Sequence, residues 1–197
     1  MPTRESVLND ALDLLGEPRS TGPDDSASWV VRLRDAYDAR VRALLENYPW
    51  NFASDLEQLV ATEPTPADWD YGFRKPASFL RLIALRGSAD PDASELDYDD
   101  RGGRFLTNSA GSWLWYVSST WITLEGAWPQ VFADAVSSDL AFRCSAATAE
   151  ANTTRETLAA IAQKALREAR TWDAMQKPFR RHPPGEWVRA RSGGWRR

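Results

Sequence analysis

The residues able to do chemistry are few and unevenly placed. The single histidine, His182, lies in a proline-rich stretch near the C-terminus, so one chain cannot build a His-based triad or a multi-histidine metal site. Asp90-Pro91-Asp92-Ala93-Ser94 starts like a calcium loop, but Glu95 stands where the turn needs glycine and Arg101 where the closing glutamate belongs. It reads as a solvated acidic loop. Asp97, Asp99 and Asp100 could imitate the carboxylates of a glycosidase, with tryptophans to stack on sugar, yet nothing fixes the separation that such chemistry needs. The chain has neither a P-loop nor a Gly-x-Gly-x-x-Gly turn. The lone Cys144 forbids an internal disulfide, fits a reducing compartment, and reads as a small apolar residue on a helix. No catalytic centre and no cofactor are expected.

The strongest chemical signal is at the C-terminus. Residues 177–197 hold seven basic side chains against the single acid Glu186, a charge of +6; residues 1–176 therefore carry −10 of the total of −4. The same stretch contains Phe179, Trp187, Val188 and Trp195 among prolines and glycines. A purely solvating tail would not carry two tryptophans. Trp187, Arg189, Arg191, Trp195, Arg196 and Arg197 are the candidate binding residues: aromatics as anchors, arginines for steering and hydrogen bonding. Interleaved arginine and tryptophan also suits single-stranded nucleic acid, through phosphate neutralisation and base stacking, and that alternative stays open.

These side chains must be held by elements that the sequence outlines. Thr3 can cap a first helix carrying Val7, Leu8, Ala11, Leu12 and Leu15, stopped by Gly16. Asp24, Asp25 or Ser26 is expected to cap a second, whose stripe of Trp29, Leu33, Tyr37, Val41, Leu44 and Leu45 runs to about Tyr48. Pro49 ends it, and Trp50 and Phe52, two apart, are expected to share one face of a strand. A β region follows to about residue 128, including Tyr71–Phe73, a buried Leu80–Leu85 strand, a hairpin around Gly102-Gly103 and the aromatic run Trp113–Ser118. Trp113 and Trp115 are expected to be a core or hairpin pair. Pro129 opens a third helix with Phe132, Ala135, Val136, Leu140, Ala141 and Cys144. Thr153 with Glu156 reads as a capping box for a fourth, carrying Leu158, Ile161, Ala162, Ala165, Leu166, Ala169, Trp172 and Met175.

The expected fold is α+β and mainly helical: a bundle of about four helices with an inserted antiparallel β region and an extended C-terminal tail. Residues 1–176 form the domain, with helices within 3–48 and 129–176 and the insertion at about 50–128; residues 177–197 form the tail. Hydrophobic content of 43% and charged content of 26% suit a globular body. No apolar run reaches membrane-spanning length, and Met1-Pro2-Thr3-Arg4-Glu5 does not open a secretory signal.

The order of these pieces resembles the head-to-tail adaptor (connector) proteins of tailed bacteriophages, in particular the tail tubular protein A family. The pieces are Ala11–Glu17, Trp29–Leu45 closing on Tyr48-Pro49-Trp50-Asn51-Phe52-Ala53, Tyr71–Pro76 with Phe79-Leu80-Arg81, Trp115-Tyr116-Val117, Trp128–Phe132 through Leu140-Ala141, and a last helix with Ala169 and Asp173. The family typically reads Tyr-x-Tyr-x-x-Pro at the proline-centred strand end; here the second aromatic is Phe73, and Ala77-Ser78 follow Pro76. The resemblance implies a virion structural protein without a catalytic step, made in the host cytoplasm and located at the neck. It implies a ring of about twelve copies beneath the portal protein ring. That ring would join the portal to the next tail component (nozzle, stopper or tail tube protein) and let genomic DNA pass without specific binding. A body at −10 suits a wall that does not hold phosphate, and the basic tail suits docking on an acidic portal surface.

Overall fold

The computed structural model describes residues 1–62, 68–145 and 152–176, with the side chains of 152–154 outside the description. The fold is mixed α+β, with four α-helices and two small antiparallel sheets among the described residues. Helices α1 (Arg4–Leu15) and α2 (Ser28–Glu46) precede six strands, and α3 (Gln130–Cys144) and α4 (Asn152–Met175) follow them.

Local chemistry sets the ends of α1. Thr3 accepts from the Ser6 amide at 3.1 Å while Ser6 Oγ accepts from the Thr3 amide at 2.9 Å, a reciprocal cap. Gly16, at φ 73°, takes the left-handed turn that closes the helix. The start of α2 differs from expectation. Its N-cap is Ala27, with no side-chain cap, and none of Asp24, Asp25 and Ser26 fills that place. Asp25 turns back instead, its carboxylate accepting from the Ala27 amide at 2.9 Å and the Thr21 amide at 3.0 Å. These backbone bonds, Thr21 first, hold its pKa below the ordinary carboxylate value.

Strand β1 is Ser54–Leu59, so Trp50 and Phe52 do not lie in a strand. They reach a common partner through an irregular corner: both rings lie against Phe132 of α3, at centroid distances of 5.0 and 4.9 Å. Trp128 meets Phe132 edge-on at 5.1 Å and stacks on Tyr37 at 6.4 Å. This aromatic knot fills the helical core together with the buried faces of α1 and α2. Helix α3 lies at its centre. Phe132, Ala133, Ala135, Val136, Ser137, Leu140 and Ala141 are all buried, on more than one face, because other helices pack around it.

The remaining strands are β2 (Tyr71–Arg74), β3 (Phe79–Arg86), β4 (Asp99–Arg101), β5 (Arg104–Thr107) and β6 (Ser112–Ser118). One sheet has the order β1-β6-β3 and the other β2-β5-β4. Leu59, Phe73, Leu85, Phe105, Leu114 and Tyr116 form the second core, between them. The hairpin at Gly102-Gly103 forms as expected, with φ of 60° and 77°, the positive pair a tight two-residue turn requires. Its first strand is Asp99–Arg101. Lys75 pins the hairpin to β3: its ammonium is 2.7 Å from Asp100 and lies over the Phe79 and Phe105 rings at 4.7 and 4.8 Å.

Helix α4 buries Leu158, Ala162, Ala169 and Asp173. Ile161, Trp172 and Met175 face solvent instead of joining that stripe, at 36%, 37% and 76% exposure. The Thr153 side chain lies outside the described residues, and α4 begins one position earlier, at Asn152.

Candidate functional site

The candidate residues Trp187, Arg189, Arg191, Trp195, Arg196 and Arg197 lie outside the described residues. The described residues do fix the place where that segment leaves the body. Asp173, in the last turn of α4, is fully buried. Its carboxylate accepts from the Asn51 amide at 2.9 and 3.0 Å and from the Phe52 amide at 3.4 Å. The Asn51 side-chain amide donates back to the Asp173 carbonyl and to its carboxylate, each at 2.8 Å. Around this lock, Trp50 Nε1 donates to the Leu44 carbonyl at 2.9 Å, satisfying an acceptor in the last turn of α2. The Arg170 guanidinium covers the Tyr48 ring at 5.4 Å. The corner after Pro49 thus exposes amides that no strand or helix uses, and a carboxylate from a distant helix takes them. Sequence reasoning named Asp173 but not this role. The available signal was an acid falling on the buried stripe of α4, four residues after Ala169.

The outer face of the first sheet is a second feature. Along β6, Leu114 and Tyr116 turn towards the core between the sheets, so Trp113 and Trp115 turn the other way. There both are half-buried: of the two expected places, core or hairpin pair, they do not take the core. The Arg86 guanidinium lies 5.2 Å over Trp115, held by Glu95 at 3.9 Å and by the Pro91 carbonyl. Leu56, opposite Trp115 on β1, is 45% exposed.

A third is an open groove of about 180 Å³ between α2, α3 and α4. Leu44, Ala135, Phe142 and Leu166 give it an apolar lining, and Asp139 lines it as well. That carboxylate lies 2.7 Å from Arg40 and 3.9 Å from Arg143. Its charge is matched on both sides, so the groove offers shape and apolar surface.

Three of the acids singled out in the sequence are engaged elsewhere. Asp90 accepts from the Asp92 amide at 2.8 Å, closing its own turn. Asp99 pairs with Arg101, and Asp100 with Lys75. Cys144 is buried, and burial pushes its thiol pKa up, away from thiolate chemistry. Among the described residues no group of three or more His, Cys, Asp and Glu side chains is placed to hold a metal, and no helix is long and apolar enough to cross a membrane.

Comparison with protein-family models and with curated proteins found no match to this chain.

Proposed function

We propose that this chain is a structural head-to-tail adaptor of a tailed bacteriophage. It assembles as a ring beneath the portal, links the capsid to the next tail component and continues the DNA channel. In this reading the four helices act as a bundle, the sheets are an insertion between α2 and α3, and residues 177–197 are the portal-docking tail.

The observation that carries the proposal is the lock between Asp173 and the Asn51–Phe52 corner. It joins two of the pieces that carry the family resemblance, the Tyr48–Ala53 motif and the end of the last helix. It also gives the basic, aromatic tail a rigid point of departure, which lowers the ordering cost of docking. A ring of many copies multiplies modest contacts per chain by effective concentration. Heterologous ring contacts need two different faces of each subunit. The exposed flank of α4 and the groove beside Asp139 are two such faces.

The test is to mix the purified chain with its cognate portal ring and to measure complex mass and stoichiometry, with a chain ending at Gln176 alongside. One copy per portal subunit, lost on truncation, is the expected result. Absence of a complex, with oligonucleotide binding by the full chain only, would replace this reading with a nucleic-acid-binding one.

A further inference from the structure

Among the described residues, strand β1 is an edge of its sheet, paired with β6 along one side. One face of it carries Ser54, Leu56, Gln58 and, just beyond the strand, Val60; Leu56 is 45% exposed and Val60 80%. Asp55 and Glu57 alternate with them on the opposite face, the one shared with Tyr116, whose hydroxyl donates to Glu57 at 3.2 Å. An open edge with apolar side chains templates pairing with another strand, and folded proteins normally cover or blunt it.

The chain holds a segment with the complementary alternation. In Glu186-Trp187-Val188-Arg189-Ala190-Arg191, Trp187, Arg189 and Arg191 share one face of an extended strand, and Val188 and Ala190 the other. The geometry points to the open edge of β1 as the docking site for this segment of the same chain, laid alongside it as an added strand. Arg189 and Arg191 then stand beside Asp55 and Glu57, as opposite charges across a strand pair favour. Val188 and Ala190 lie on the face of Leu56 and Trp115. Main-chain hydrogen bonds supply affinity and the alternating side chains fix the register.

Chain geometry permits this. Asp173 holds Asn51, three residues before β1 begins, so the chain passes Gln176 close to the start of that strand. Residues 177–185 span up to about 30 Å when extended, and a six-residue strand covers about 20 Å. Pro183 and Pro184 lack the amide a ladder needs, so pairing begins after them. Tethering supplies an effective concentration in the millimolar range. The inference does not rest on the virion reading: it concerns the free protein, so either can fail alone.

Hydrogen exchange of residues 54–60 in the full-length free protein tests it. Reversing both arginines (R189E with R191E) is expected to speed exchange along β1 about tenfold. Adding D55R with E57R in the same chain is expected to restore it. Unchanged exchange on arginine reversal would overturn the docking. Because Glu57 also holds Tyr116, a photo-crosslinker at position 56 gives a second readout. Capture of residues 186–191 within one chain, with a yield independent of protein concentration, is expected. Capture of another copy, or of no tail peptide, would overturn it.

Discussion

The carboxylate of Asp173 and the backbone amide of Asn51, 122 positions apart in sequence, meet at 2.9 Å inside the protein. This single bond set closes the C-terminal helix onto the corner where the second helix gives way to the first strand. Removing the carboxylate leaves buried amides without an acceptor. Asp173→Ala is therefore expected to cost about 3 kcal/mol, read as a lower midpoint in urea unfolding. Asp173→Asn keeps the volume but supplies one acceptor oxygen instead of two, and is expected to fall between. A wild-type midpoint for Asp173→Ala would remove the lock from the account.

Trp50 has two separable roles. Its ring fills the cluster with Phe132, and its indole N–H satisfies the Leu44 carbonyl. Trp50→Phe keeps most of the packing and is expected to lose about 1–2 kcal/mol. Trp50→Ala opens a cavity and is expected to lose about 3–5 kcal/mol. Equal losses for the two variants would show that packing contributes little.

Asp10 carries an electrostatic penalty. Burial, then the nearby carboxylates of Asp134 and Asp13, raise its pKa above the ordinary value of 3.8. An acid whose folded pKa is raised opposes folding once it ionises, and the penalty disappears as pH falls through that raised value. Asp10→Asn is accordingly expected to raise the melting temperature at neutral pH. The gain should shrink towards zero as pH approaches 3.8 and below. A gain that persists undiminished in acid would mean that charge is not its origin.

The tail anchors are testable on the assembled complex. Replacing Trp187 and Trp195 together by alanine is expected to weaken portal attachment at least tenfold, as loss of aromatic anchors does. The melting temperature of the body should stay unchanged. A sharp fall in that temperature would place the tryptophans in the core instead.

The helices were legible because their apolar spacing is strong and their stops are chemical: Thr3, Gly16 and Pro129 each adjoin a helix end, and Pro49 lies three residues past one. The hairpin was legible for the same reason, since two glycines in sequence favour a turn with two positive φ angles. The cap of α2 was not. Asp25 has equal local claims on a cap and on a tight turn, and the Thr21 amide decided for the turn. Ile161, Trp172 and Met175 fit the period of α4, but period alone does not say how wide a face its neighbour covers. For Trp113 and Trp115 the shared face was legible, while the choice between core and hairpin pair was not, because alternation gives the face without saying what lies over it.

By itself the sequence determined the local grammar: where helices start and stop, which residues share a face, and the separation of an acidic body from a basic, aromatic tail. Those properties follow from backbone sterics, hydrogen-bond valence and charge, which act over a few residues. Only the tertiary structure decided that Asp173 closes the corner at Asn51, that Phe132 joins Trp50 to Phe52, and that β1 is left as an edge. Such pairings join positions far apart in the chain, and their energy exists only once packing excludes water and brings the partners within bonding distance.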